Sequence, residues 1–139
     1  MTDDRPVKEL GELALRVADL EEMTVFYRDV VGLAVLRRFD DCTFFSLREG
    51  YGGHTQILAL FDRSDEAEYV APAPARTTVD HFAFTVDLAD FEAERDRLES
   101  LGVDLDLATH EWVSWRSLYF SDPEENRVEF VCYDETVGE

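Results

Sequence analysis

One short pattern occurs twice in this chain of 139 residues, and a repeat of this kind restricts the fold more than any other feature. In each copy an alternating strand is followed by a helical stretch that ends at a glycine. Glu12 and His81 open the two strands, and Gly32 and Gly102 close the two helical stretches. The two pairs of equivalent positions have offsets that differ by a single residue. The sequence therefore contains one supersecondary unit twice.

Strand alternation predicts the direction in which Glu12 and His81 project. In the first strand Leu13, Leu15 and Val17 share one face, and in the second strand the residues at 82, 84 and 86 do so. The apolar residues of the following stretches recur at nearly helical spacing and can cover these faces. Glu12 and His81 are therefore expected on the faces turned away from the helices.

Three further strands are predicted in each copy. In the first copy they cover residues 34–39, 42–48 and 55–62, and in the second copy 103–107, 117–121 and 127–132. The order strand, helix and three strands predicts an α+β fold of two βαβββ modules, about 9–62 and 79–134. Residues 63–78 contain alternating alanine and proline and are interpreted as a linker. The length suits a single domain, 1–139.

The composition indicates where the protein is expected to be located and what its cysteines do. No run of about 18 apolar residues occurs and the first ten residues are charged, so a cytoplasmic protein without a membrane span is expected. Cys42 and Cys132 lack the spacing of a metal motif and are expected to be small buried thiols.

Charge is strongly unbalanced, with 32 acidic against 13 basic residues and a formal net charge of −19. Lys8 is the only lysine. A nucleic-acid partner is disfavoured because it requires a basic face. Dispersed acidity with little lysine is typical of a halophilic surface, on which salt screens the self-repulsion.

Candidate residues for chemistry lie on the first and last strands of each copy. Glu129 is a carboxylate in the middle of an apolar strand, and an unpaired buried charge is costly, so it needs a partner or a metal. His81 is a candidate partner. The first copy offers Glu12 together with either Gln56 or His54. Four such oxygen and nitrogen ligands suit Mn²⁺, Fe²⁺, Ni²⁺ or Mg²⁺ better than a structural Zn²⁺.

The repeated module resembles the vicinal oxygen chelate superfamily. The resemblance rests on the openings 13–20 and 26–33, on the closing segment 117–123 with its Asp-Pro turn, and on the strand around Glu129. This superfamily includes glyoxalase I, fosfomycin-resistance proteins, bleomycin-binding proteins and extradiol dioxygenases. It implies a cup-shaped mixed sheet in which a divalent metal acts as a Lewis acid on a substrate with two adjacent oxygens.

Carried over by position, the resemblance implies that His81 and Glu129 are metal ligands. The family usually has histidine where this chain has Glu12, and this departure from the two-His-one-carboxylate set weakens the dioxygenase interpretation. The fourth position falls near Gln56, with His54 as the alternative. The family's last turn often carries glycine where this chain has Glu125, which predicts a turn of different shape.

Two functions from different classes remain open. The first is a metal-dependent lyase, isomerase or addition enzyme in which Glu12 or Glu129 moves a proton. The second is a metal-free binding protein in which His81 simply pairs with Glu129, as in bleomycin-binding members. Trp112 and Trp115 are either core residues or a wall of the substrate site, and Arg116 could hold an anionic substrate. A homodimer is expected, because each module leaves sheet edges that a paired module could cover.

Overall fold

The computed structural model describes residues 4–65 and 76–138 and divides into two compact units, Met1–Ala71 and Pro72–Glu139. The predicted linker lies largely outside the described residues. No helix in the described part of the chain is long and apolar enough to cross a membrane.

The described part of the first unit contains a helical segment, a short 3-10 turn (Tyr51–Gly53) and a four-stranded sheet. Its elements are β1 (Glu12–Val17), α1 (Leu20–Val25), which continues as a π-helical segment (Phe26–Val31), β2 (Ala34–Arg38), β3 (Cys42–Glu49) and β4 (Thr55–Asp62). The strand order is β1-β4-β3-β2, with β1 parallel to β4 and the other pairs antiparallel. Asp19 begins the helix by accepting a hydrogen bond from the backbone N–H of Glu22.

The second unit repeats this topology. Its elements are β5 (Phe82–Thr85), α2 (Leu88–Ser100), β6 (Asp106–His110), β7 (Trp115–Ser121) and β8 (Arg127–Tyr133). The strand order β5-β8-β7-β6 matches that of the first unit, and β5 is parallel to β8. The prediction of an α+β fold with two βαβββ modules is therefore confirmed.

One strand was placed too early by the sequence. Residues 103–107 were predicted as a strand, but β6 begins only at Asp106. Gly102 has a left-handed backbone, and the N–H groups of Leu101, Gly102 and Val103 bond to the last carbonyls of α2. The bonds that cap α2 therefore occupy the chain as far as Val103, before it can enter the sheet.

Each sheet buries one face beneath its own helix. In the first unit the buried face carries Val17, Phe45, Leu58 and Leu60 from the strands and meets Met23 and Tyr27 from the helical segment. The corresponding core of the second unit is formed by Phe91, Leu98, Leu118, Phe120, Val128 and Phe130. Cys42 and Cys132 are buried free thiols, and burial raises the pKa of both. The face opposite each helix is left for other contacts.

A turn of different shape was predicted between β7 and β8 from the sequence, because Glu125 stands where the family often has glycine. This prediction is wrong. Glu125 has a φ of 69°, in the left-handed region that favours glycine. Both carboxylate oxygens of Asp122 accept hydrogen bonds from the following residues, from the N–H groups of Glu124 and Asn126 at 2.9 Å and from the Asn126 side chain at 2.8 Å. These bonds hold the turn and explain why it tolerates a strained glutamate.

Candidate metal centre

The candidate centre lies on the face of the second sheet opposite α2. Glu129 stands on β8, between Ala83 of β5 and Tyr119 of β7 in the strand register. Alternation puts its side chain on the face away from the core residues Val128 and Phe130. Only 4% of Glu129 is exposed, so its carboxylate needs compensating partners.

His81 is one of these partners. It immediately precedes β5, and its Nε2 lies 3.1 Å from Oε1 of Glu129. Its other ring nitrogen, Nδ1, lies 2.6 Å from Oδ1 of Asp80. The imidazole is held between two carboxylates, and 38% of its side chain remains exposed. It therefore stands between solvent and the buried Glu129.

Hydroxyl groups complete the surroundings of the carboxylate. The Ser117 hydroxyl donates to Oε2 of Glu129 at 2.5 Å. Tyr119 neighbours Glu129 in the register, its ring meets that of His81 edge-on, and its hydroxyl lies 3.0 Å from Nε2 of His110. Burial first, and then the negative charge of Glu129, raise the pKa of the Tyr119 phenol.

The first unit has only part of the same arrangement. Glu12 opens β1 and is exposed on the helix-free face, as predicted. Two residues further on, Ala14 pairs with Ala59 of β4, whereas Ala83, two residues after His81, pairs with Glu129. Ala59 thus occupies the position that the carboxylate has in the second unit. The last strand of the first unit supplies no ligand there.

Gln56 does not share the face of Glu12. Ile57 is the register partner of Glu12, so alternation puts Gln56 on the opposite face with Leu58 and Leu60. The alternative ligand, His54, lies in the preceding loop, where its Nε2 is 3.3 Å from the carbonyl oxygen of Gly11. Of the four predicted ligands, the structure brings together His81 and Glu129.

The three predicted substrate-binding residues do not lie on one face of the sheet. Trp112 is 86% exposed and Trp115 is also exposed, so neither is a core residue. Trp115 shares the face of Glu129, because it lies two residues before Ser117 on β7. Arg116 points to the other side, where its guanidinium lies 5.1 Å from the centre of the Phe91 ring. Arg116 therefore does not belong to the Glu129 site, because strand alternation turns it toward α2.

The donor atoms fit a divalent cation. His81 Nε2 and Glu129 Oε1 lie 3.1 Å apart, and an imidazole nitrogen beside a carboxylate oxygen is a donor set that would hold a divalent first-row cation. Asp80 supplies the carboxylate that commonly orients a metal-bound histidine. No group of three or more His, Cys, Asp and Glu side chains suited to a metal ion occurs within residues 4–65 and 76–138. The pair accounts for two ligands and requires others.

Several residues of this centre were missed in the sequence. From the sequence, Asp80, His110, Ser117 and Tyr119 were assigned no role in the site. A signal was present for two of them, since Ser117 and Tyr119 alternate on the strand that pairs with β8. Asp80 could have been found from its position beside a candidate ligand.

Comparisons with known proteins agree with this architecture. The family model for the Glyoxalase/Bleomycin resistance protein/Dioxygenase superfamily matches residues 9–130. The glutathione transferase FosA of Serratia marcescens is 28% identical over 127 residues, 88% of this chain and 79% of the relative. The metallothiol transferase FosB of Lysinibacillus sphaericus is 27% identical, over 89% of this chain and 82% of the relative.

A solved structure is similar over nearly its whole length. The lactoylglutathione lyase of Agrobacterium tumefaciens is 30% identical with a TM-score of 0.68, covering 92% of this chain and 96% of that one. Together with the match of the family model to residues 9–130, this places the repeated βαβββ module in a known family. The chain belongs to the Glyoxalase/Bleomycin resistance protein/Dioxygenase superfamily.

Proposed function

We propose that this protein is a divalent-metal-dependent enzyme that acts on a small molecule with adjacent oxygens, by addition or by lyase or isomerase chemistry. One observation carries the proposal: a buried carboxylate, Glu129, faces Nε2 of His81, while Nδ1 of the same ring faces Asp80. Oriented pairs of this kind are typical of metal ligands.

The relatives favour addition to an electrophilic substrate. Two of them are named as thiol-type transferases, FosA and FosB, and a third is a lyase of lactoylglutathione. Thiol or water addition to an epoxide suits a site that combines a cation with groups able to hold or move a proton. Glu12, a carboxylate in the place of a second histidine, makes dioxygenase chemistry the less favoured reaction.

Each residue has a separate task in this proposal. His81 and Glu129 would hold the cation, Asp80 would fix the ring of His81, and Glu12 would supply a third ligand or move a proton. When bound, the cation would polarise the adjacent oxygens of the substrate. The Tyr119 phenol, whose pKa is raised by burial, can donate a hydrogen bond to an oxygen on which negative charge develops.

The test is the metal content of the purified protein. After removal of metal with a chelator, titration with Mn²⁺, Ni²⁺ and Zn²⁺ should give one ion per chain and raise the thermal midpoint, because an ion that binds only the folded state stabilises it. His81→Ala and Glu129→Gln should both abolish this rise. His54→Ala, which removes a histidine of the first unit, is the control and should retain it.

Glu12 is tested separately. Glu12→Gln removes the charge of the third predicted ligand and should weaken metal affinity about 10- to 100-fold or more, whereas Gln56→Ala should leave it unchanged. Bound metal that is unaffected by His81→Ala would refute the proposal.

A metal-free binding protein is the second candidate. It is favoured by the way in which His81 and Ser117 already satisfy Glu129 without an ion. The exposed Trp112 and Trp115 could then hold an aromatic or cationic ligand. Absence of metal binding, combined with quenching of tryptophan fluorescence by a cationic aromatic drug such as bleomycin, would select this function.

A further inference from the structure

A second cleft lies in the second unit, on the side of the sheet that faces α2. It has a volume of about 240 Å³ and is bordered by two segments of β6 and β7 and by one side of α2. Its lining residues are Phe91, Arg95, Leu107, Ala108, Thr109, Arg116 and Ser117. Arg116 and Ser117 alternate on β7, so the Arg116 side chain is on the opposite side of the sheet from the hydroxyl that bonds to Glu129. The Arg116 side of the cleft and the candidate metal centre therefore lie on opposite faces of the sheet, with Ser117 common to both.

Two arginines line this one cleft in a strongly acidic chain. It has 13 basic residues against 32 acidic ones, and a positive site must form against a net charge of −19. Arg95 comes from α2 and Arg116 from β7, so two different elements each contribute an arginine to the lining of the cleft. Convergence of like charges is costly unless something negative lies between them.

Both arginines have acidic partners, but the contacts are long. Nη1 of Arg116 is 3.8 Å from Oδ2 of Asp134, and Nε of Arg95 is 3.8 Å from Oε1 of Glu99. The bonds from Arg95 to Asp96 are 3.3 and 3.4 Å long. By contrast, the nearby Arg97 bonds to Glu94 at 2.8 and 3.0 Å. Each guanidinium carries five N–H donors, so these long contacts leave donors for a ligand.

The other walls are apolar. Phe91 is buried and stacks with the guanidinium of Arg116, and Leu107 lies across the cleft on the edge strand β6. Thr109 adds a hydroxyl. The volume equals that of about eight liquid waters and is smaller than the pockets that take drug-sized molecules. We infer that this cleft binds a small oxyanion, a carboxylate or a phosphate group, that is attached to a compact apolar body.

The probes are benzoate and phenyl phosphate, with benzamide as the neutral analogue of benzoate. Calorimetric titration at fixed ionic strength should show one saturable site per chain for at least one of the anions and none for benzamide. The anion that binds more tightly identifies the oxyanion as a carboxylate or a phosphate group. Arg116→Gln and Arg95→Gln should each weaken binding by at least tenfold.

Arg28→Gln is the matched control, because Arg28 is an exposed arginine that pairs with Asp29 far from this cleft in the sequence. It should bind the probes as the wild type does. Amide NMR shifts on titration should be concentrated at residues 91–95 and 107–109, and they should persist in Glu129→Gln.

The inference fails if neither anion saturates a site, if both arginine variants bind as tightly as the wild type, or if the shifts centre on His81 and Glu129. Arg116→Gln could lower stability by removing the contact with Phe91, and Arg95→Gln, on the helix surface, then decides the outcome. The metal titration described above tests other residues. Failure of the anion titration therefore does not contradict the proposed metal site, and failure of the metal titration does not contradict this cleft.

Discussion

Glu129 shows how one residue can set the character of a site. The fold buries its carboxylate at the centre of a sheet face and surrounds it with His81, Ser117 and Tyr119. A hydrogen bond to a charged buried group contributes more than one between neutral groups. The donors around Glu129 should therefore matter for stability as well as for chemistry.

Ser117→Ala tests this at the metal-free site. Loss of the 2.5 Å bond should lower the free energy of unfolding by about 1.5–3 kcal/mol, measured by urea denaturation. Ser121→Ala, on the exposed end of the same strand, should change it by less than about 0.5 kcal/mol. Equal effects of the two changes would mean that the bond to Glu129 contributes nothing particular.

A substitution at Glu125 should have the opposite effect and increase stability. Its left-handed backbone strains any residue with a Cβ, so Glu125→Gly should raise the free energy of unfolding by roughly 1 kcal/mol. Glu124→Gly removes the same charge from the same turn at a position without a positive φ, and it should give no gain. A comparable increase in both variants would assign the effect to charge rather than to backbone strain.

At the level of elements, strand periodicity accounts for most of what the sequence could predict. Eight strands and two helical segments follow from alternation and glycine positions, and the same alternation puts Glu129 on the helix-free face. The errors arise where alternation alone cannot decide. Gln56 was assigned its face without knowledge that Ile57 pairs with Glu12, and Arg116 was grouped with the tryptophans by proximity in sequence rather than by face.

The network around Glu129 could not be predicted for a related reason. It depends on Tyr119 being opposite Glu129, and this register is set by the length of the turn at residues 122–126. A shift of one residue would turn Tyr119 to the other face. The sequence gives the members of each strand, whereas the pairing between strands requires the structure.

The turn after β8 predicts a pH dependence. Hydrogen bonds from the Thr136 hydroxyl first, and then from its backbone N–H, lower the pKa of Asp134. A lowered folded-state pKa contributes stability above the ordinary pKa of an aspartate, and this contribution is lost as pH falls through the folded pKa. The stability difference between wild type and Thr136→Ala should therefore be greatest at neutral pH and shrink below about pH 4.

Thr136→Ser keeps the hydroxyl and should follow the wild type when urea midpoints are measured from neutral to acidic pH. A difference between wild type and Thr136→Ala that stays constant across this range would contradict the assigned cause.

For the whole molecule, charge is the dominant property. A net charge of −19 destabilises a compact state by self-repulsion, and chloride salts screen it over about 10 Å at 0.1 M and about 3 Å at 1 M. The thermal midpoint should rise between these concentrations of KCl. A charge-reduced variant with several exposed glutamates changed to glutamine should show a smaller rise, and a midpoint that does not rise in the wild type would contradict the halophilic interpretation.

A homodimer remains the expected assembly. Each four-stranded sheet ends in two edge strands, and β2 is exposed along its whole length, with Val35 and Leu36 among its residues. Unpaired edges of this kind favour association with another strand. Sedimentation in high salt should give twice the chain mass at micromolar concentration, and a monomer there would remove this expectation.

The parallel pairing of first and last strands also affects the order in which each unit can form during translation. β1 leaves the ribosome first, but its sheet partner β4 is the last strand of the unit to be made, and the same holds for β5 and β8. β4 and β8 are interior strands of their sheets, so neither unit can close before its final strand emerges. Until then β2 can pair with β3 and β6 with β7, but β1 and β5 lack their sheet partners, so chaperone binding during synthesis should matter most just before residues 55–62 and 127–133 appear.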